Sequence, residues 1–539
     1  MPARLRLTED NRKWWTLAAM CFALFMLMLD NTVVNVALPS IQKDLHASLS
    51  SLEWTVNAYT LTFAVLLVTG GRLGDIFGRR RMFLFGVVVF ATSSALIGLA
   101  PTQEWLVAGR AIQGIGGAFM MPGTLSIISN TFPAHERGRA IGTWAGVSAL
   151  ALAAGPAVGG ALTEYVSWRA IFFLNLPVAV GAVIVTLFAT RESRDPTVDR
   201  RVDYPGIAAL SVGLTALVLA LVEGNRWGWE SASIVALLAT AVVGIVAFVL
   251  VEMHGRAPMV QFEYFRSKSF AGASSVAFIV SFAMLAMFFF MALYMQNILG
   301  YSPLEAGLRF LPSTVVIIFA APISGRLADR IGPRPLIVTG LSLAAIALFM
   351  QSQVTVNSGY GELLPAFIIM GLGMGLTMSP MSTAGMNAVT PEKAGAASGI
   401  LSMFRMVGGT FGVAAIGALF QSLARTRIDS KLSGLHLPNG VRSSIVDNLG
   451  SGASSQSLHG IAPAQAKQVG AAMHDAFVYA LGGGLTLSAS VAAVGAVLAL
   501  LLIGPKRTTE AQRPDPATQP ERAERAGVQP EAAEPVGVG

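Results

Sequence analysis

Runs of about twenty apolar residues, separated by short polar links, recur along this chain of 539 residues from Trp14 to Ile503. A helix needs ~20 such residues to cross a bilayer. On that rule there are fourteen spans, near 14–38, 53–71, 82–100, 104–129, 139–163, 169–190, 204–223, 232–252, 269–296, 303–324, 335–353, 361–386, 394–419 and 476–503. Only 12% of the residues are charged, against about 25% in a soluble protein. Length alone suggests several soluble domains; the apolar runs override that and indicate an all-α, multi-pass membrane protein.

The net charge of +7 is not a nucleic-acid signal, because most of the Lys and Arg sit in short links between spans. Arg72, Arg79, Arg80 and Arg81, then Arg137 and Arg139, Arg191 to Arg201, Arg256 to Lys268, Arg326 to Arg334, Lys393, and Lys506 with Arg507 all fall on one side if the N-terminus is cytoplasmic. An even count then places both termini in the cytoplasm, in the plasma membrane. The basic segment 420–475 lies on the other side, but long loops follow the rule weakly. It is expected to form a small helical hairpin. The single cysteine, Cys21, permits no disulfide within one chain.

A repeat divides the chain. Gly71-Arg72-Leu73-Gly74-Asp75-Ile76-Phe77-Gly78-Arg79-Arg80 follows the second span, and Gly325-Arg326-Leu327-Ala328-Asp329-Arg330-Ile331-Gly332-Pro333-Arg334 follows the tenth. The expected units are a cytoplasmic N-terminus (1–13), a six-helix half (14–190), a linker with two extra spans (191–268), a second six-helix half (269–503) and a disordered cytoplasmic tail (504–539) rich in Pro, Glu and Ala. Parallel halves of this kind are a transporter architecture, with the substrate site between them near the midplane.

Asp30 lies deep in the first apolar run, with no basic neighbour in sequence. A carboxylate there is neutralised, paired or hydrated, and intramembrane acids are functional unless they only hold helices together. Arg110 in the fourth span is ~9 Å from its outer end and Asp30 ~24 Å from its inner end at 1.5 Å per residue, depths compatible with pairing. Arg110 could instead snorkel to the interface. Arg405, ~15 Å into the thirteenth span, needs a partner or an anionic ligand.

The glycines of the 71–80 link permit a tight turn, and Asp75 can pair with an arginine or face a helix N-terminus. Two copies of such a charge cluster suit a latch that makes and breaks as the halves rock. In the fifth span, Gly155-Pro156-Ala157-Val158-Gly159-Gly160 combines small residues that let helices touch with a proline that bends one, which suits a seal or hinge. Ser302-Pro303-Leu304-Glu305 and Ser50-Ser51-Leu52-Glu53 both fit capping boxes, which removes Glu305 as a second intramembrane acid. Met284, Met287, Phe288, Met291 and Met295 read as core or lipid-facing packing before a binding wall.

No ATP-binding loop, zinc motif or nucleophile elbow is present, so an enzyme is disfavoured and an ion gradient is the remaining energy source. The stretches Leu29 to Pro39, Gly71 to Arg80, Arg110 to Gly117, Gly155 to Gly160, Trp168 to Pro177, Ser302 to Leu308 and Gly395 to Gly412 resemble the major facilitator superfamily. They are closest to its 14-helix drug:proton antiporters (EmrB/QacA-type), over about Trp14 to Pro505. That resemblance implies export coupled to proton entry, without a cofactor and without nucleic acid. The protein is then expected to act as a monomer on small molecules, protons and the bilayer. It implies proton coupling at Asp30 and Arg110, a conformational latch of Gly71, Asp75, Gly78, Arg79, Arg80 and Asp329, and an antiporter hinge of Gly155, Pro156, Gly159 and Gly160. The substrate-cavity candidates are Asn31, Asn35, Gln113, Asn175 and Arg405. The second-half link departs from the pattern, with Pro333 where the first has Arg79. The alternatives are an exporter dedicated to one metabolite, an uptake symporter on the same fold, and a transport-dead sensor.

Overall fold

The computed structural model describes residues 9–194, 203–255, 262–389, 394–432 and 463–504. The expected disordered tail beyond residue 504 and most of the expected 420–475 hairpin lie outside the described residues. Every regular element among them is helical. The chain runs α1 (Glu9–Leu45), α2 (Leu49–Phe77), α3 (Arg79–Gly98), α4 (Gln103–Thr131), α5 (Ala134–Tyr165), the single turn α6 (Ala170–Phe173) and α7 (Asn175–Ala189). It continues with α8 (Tyr204–Trp227), α9 (Ala232–His254), α10 (Lys268–Asn297), α11 (Pro303–Ile331), α12 (Pro333–Ser352), α13 (Tyr360–Met386), α14 (Ala394–Leu432) and a last helix, α15 (Pro463–Leu502).

Twelve of these helices, with α6 and α7 as one, are long and apolar enough to cross a membrane. A thirteenth is added if the two pieces of α2, Leu49–Leu67 and Thr69–Phe77, bent by 48°, form one span. The expected fourteen are not reached by this measure. Helix α5, 32 residues long, is described only in part and so is not counted.

The packing repeats. In the first set α1 packs on α5, and α2 and α3 on α4; in the second α10 packs on α14, and α11 and α12 on α13. Across the two sets, α5 packs on α11 and α14 on α2, while α8, paired with α9, leans on both α2 and α14. Glycines set the close approaches. A Cβ on Gly155 would lie 1.8 Å from the Thr32 hydroxyl, and one on Gly408 2.2 Å from the Phe278 carbonyl, so each pair of helices touches backbone to side chain or backbone.

One face gathers the basic links. Arg12 donates to the Ala189 carbonyl at 2.8 Å and Arg80 to that of Leu187 at 3.0 Å, and Gly504 donates to Ser269 at 3.0 Å. The two sets meet toward the opposite face. There Gln296 donates to the Val36 carbonyl at 2.8 Å and Leu304 N–H to Glu164 at 3.0 Å.

Local codes explain the helix starts on that face. Ser302 accepts from Glu305 N–H while Glu305 accepts from Ser302 N–H, a complete capping box that spends the Glu305 carboxylate on its own backbone. At α2 the expectation fails. The cap is Ser48, which accepts from Ser51 N–H at 3.2 Å. The helix therefore starts earlier than the Ser50 box requires, and Glu53 is turned inward and fully buried. Of the methionine row on α10, Met287, Met291 and Met295 are buried core residues.

Candidate functional site

Five elements of the first set bring a charged pair together. Asp30 comes from the middle of α1 and Arg110 from α4. Arg110 Nη1 donates to Asp30 Oδ2 at 2.6 Å, with side-chain exposures of 2% and 0%. Neither charge reaches water, so each relies on its neighbours. Arg110 Nε donates to the Thr55 carbonyl of α2 at 3.0 Å and Nη1 also to Gln113 Oε1 at 2.7 Å. Its guanidinium lies 4.2 Å from the centre of the Tyr59 ring, an attraction strengthened by desolvation.

The other carboxylate oxygen is held from the far side. Gln113 Nε2 donates to Asp30 Oδ1 at 3.1 Å, and Asn175 Nδ2 to the same oxygen at 3.4 Å. Asn175 also donates to Ser94 of α3 at 2.9 Å, and Ser94 in turn to the Phe172 carbonyl at 2.9 Å. The break between α6 and α7 puts Asn175 at the first position of α7, facing this network. Gln113 and Asn175, expected in the substrate cavity, are thus closed inside the network around Asp30. A buried carboxylate needs donors, and these two amides supply them.

The other cavity candidates are more scattered. Asn31 is half-buried and donates to the Leu27 carbonyl at 2.8 Å. Asn35 donates to the Asn31 carbonyl at 3.0 Å, while its buried Oδ1 has no partner among the described residues. Arg405 is half-buried on α14, and no acid among the described residues pairs with it.

The 71–80 link is organised within the first set. Arg79 pairs with Asp75 at 2.8 Å. The helix N-terminus that Asp75 could have faced is taken by Glu192, which accepts from Arg80 N–H at 3.0 Å and Arg81 N–H at 3.2 Å. An anion there is favoured by the α3 dipole. Sequence reading did not select Glu192, because an acid in a short basic link carries no pattern of its own. Gly78 has φ +117°, and a Cβ on it would lie 2.6 Å from the Glu192 carboxyl carbon. A Cβ on Gly71 would meet the Pro122 ring at 3.3 Å. The side chain of Asp329, in the second copy, lies outside the described residues.

The Gly-Pro stretch of α5 has two faces. Gly155 and Gly159 lie against Thr32 and Val33 of α1. Gly160 lies against Pro303 and Leu304 of α11, where a Cβ would come within 2.6 Å of the Pro303 carbonyl oxygen. From the other side, a Cβ on Gly307 of α11 would come 2.1 Å from the Pro156 carbonyl. This stretch therefore forms part of the contact between the two sets.

Two six-helix sets joined at a glycine seam, with a sealed ion pair inside one of them, define a membrane transporter rather than an enzyme. The profile described as "Major Facilitator Superfamily" matches residues 20–413, and the chain belongs to that superfamily. It is 35% identical over 492 residues to the tetracenomycin C resistance and export protein of Streptomyces glaucescens, covering 91% of each chain. It is 36% identical over 424 residues to the multidrug resistance protein Stp of Mycobacterium tuberculosis, covering 77% of this chain and 78% of that one. In fold it matches a bacterial homologue of the human lysosomal transporter Spinster, in an inward-facing, unoccupied conformation. The TM-score is 0.62 at 18% identity, covering 92% of this chain and 99% of that one.

Proposed function

We propose that this protein is a proton-driven efflux transporter that exports small amphipathic compounds, drugs or antibiotics among them, by alternating access. On this reading it is a cofactor-free monomer of the cell membrane, with the basic face and both termini in the cytoplasm. Residues 14–190 and 269–503 are the moving halves, and 191–268 brings the two extra helices.

The observation that carries the reading is the Asp30–Arg110 pair. An intramembrane ion pair closed to water is stable only while both charges are present. A proton arriving at Asp30 competes with the guanidinium and leaves Arg110 on Gln113 and the Tyr59 ring. The network then rearranges across α1, α2, α4 and α7, four of the helices that make up the first half. Because the pair is sealed in the conformation described, proton exchange has to await a change of conformation, which is the requirement for coupling.

The seam of Gly155, Pro156, Gly159 and Gly160 supports a hinge that closes the outer face. Gly71, Asp75, Gly78, Arg79 and Arg80, with Asp329 in the second half, serve as the latch on the cytoplasmic face. The test is transport into inverted vesicles under an imposed proton gradient, with cationic dyes and neutral and anionic antibiotics as cargo. Asp30→Asn protein that transports as well as wild type, with the same proton dependence, would sink the reading.

A second reading has support of its own. Arg405 is a half-buried cation with no acid on it among the described residues, and the relative matched over 91% of its length is named for a single compound. A carrier dedicated to one anionic natural product would use Arg405 to hold it.

A further inference from the structure

Among the buried acids that the mechanism above does not use are Glu53, Glu223 and Glu252. Glu53 of α2 is fully enclosed. Its Oε1 accepts from the Gln421 amide of α14 at 3.3 Å, and its Oε2 has no partner among the described residues. The carboxyl sits in a notch made by Gly417 of α14, where a Cβ would lie 2.2 Å from Oε1 and 2.5 Å from the carboxyl carbon. An acid of the first half is thus docked into the second half.

The surrounding charges do not neutralise it. On α8 the facing ionisable group is another buried carboxyl, Glu223, whose charge reaches Glu53 and which accepts from Ser50 at 2.9 Å. On α4, Arg110 is committed to Asp30 and the Thr55 carbonyl. On α14, Arg425 lies one turn beyond Gln421, is exposed, and donates to the Asn225 carbonyl at 3.4 Å. No Lys, Arg or His among the described residues is in contact with Glu53. Enclosing an anion against a second carboxyl, with one oxygen unpaired, is among the costliest arrangements a membrane protein can hold.

We propose that Glu53 is a gating proton site, which must take a proton from the external water before α2 can close onto α14. The proposal rests on the alternating-access reading above. With the outer face open, Glu53 is hydrated and exchanges with the exterior. A proton bound to one carboxylate oxygen removes the charge, and the neutral group enters the Gly417 notch beside Gln421. When the face reopens, the same proton returns to the external water. Glu53 then contributes no proton to the transport stoichiometry; it makes closure favourable when the exterior is acidic, when the driving gradient is present. The extra helix α8 joins this device through Glu223 and through Asn225, which donates to the Ala418 carbonyl.

The test is a distance measurement on the full-length protein in nanodiscs, with spin labels on exposed positions of the outer face. These are Glu104→Cys and Asn357→Cys, in a Cys21→Ser background. Wild type should pass from outer-closed to outer-open as pH rises, by at most about tenfold in population per pH unit, the limit for one proton. Glu53→Gln keeps an uncharged amide in the notch and should stay closed throughout. If that variant does not fold, Gln421→Lys supplies a fixed cation and should also remain closed at high pH. A wild-type distance indifferent to pH overturns the proposal, as does a folded Glu53→Gln or Gln421→Lys protein that still follows pH. All distances, the wild-type ones included, are read in an Asp30→Asn, Arg110→Gln background, where Asp30 contributes no titration, so the Asp30 reading stands or falls separately.

Discussion

Arg110 and Asp30 meet at 2.6 Å with both side chains shut away from solvent, and each is the reason the other can be there. Removing Arg110 alone leaves a buried carboxylate with only amide donors, a loss of about 3–5 kcal/mol. Arg110→Ala should therefore lower the melting temperature in detergent sharply. Asp30→Asn combined with Arg110→Gln replaces the pair by neutral amides and should recover most of that stability without recovering proton-driven transport. Recovery of transport in the double variant would detach the pair from coupling.

The seam between α5 and α11 predicts a different failure. Gly160→Ala puts a methyl where Pro303 and Leu304 already stand, and the two halves can give way by parting. The protein should fold, bind detergent and melt near wild type, yet a cysteine placed at Gln296 on that face should become reactive. Gly155→Ala strains two helices of one half instead, at about 1–3 kcal/mol for overpacking, and should show in the melting curve with little gain in labelling.

The cytoplasmic link separates stability from movement. Asp75→Asn removes a part-exposed pair with Arg79, worth under about 1 kcal/mol, so thermal stability should hardly change. If the link acts as a latch, transport should still fall several-fold. Gly78→Ala is the harsher change, since its φ of +117° disfavours a side chain and the Glu192 carboxyl occupies the space. Its melting temperature should drop.

Arg405 offers a test of cargo. Arg405→Gln should reduce transport of anionic aromatic compounds far more than that of cationic dyes of similar size. Equal losses for both would remove Arg405 from recognition and leave it a packing or folding residue.

Sequence alone identified the residues whose burial carries a large and recognisable cost. Asp30 and Arg110 stand out because charges inside apolar runs must find one another. The capping box at Glu305 was readable because all its partners lie within one turn. The same reasoning misplaced Glu53, whose neighbourhood also resembles a cap. The true cap at Ser48 shifts the start of α2, and the face that Glu53 presents is decided by α14 and α8, distant in sequence. Glu192 was invisible for a related reason: its role is set by the start of α3, which it reaches only after α7 has returned to the same face. The roles of Gln113 and Asn175 depended on knowing that both point at one carboxylate oxygen, which spacing along single helices does not reveal.

Helix α5 is bare on two sides, with Gly155 and Gly159 toward its own half and Gly160 toward the other. At these three glycines the helix offers no side chain to a cargo. A small, flat molecule wedged between Gly160 and Leu304 would thus jam the transporter whatever it carries. Substitutions that alter cargo preference elsewhere in the cavity would give no resistance to such an inhibitor, and nearly any side chain that blocked its entry at Gly160 would also disable the pump.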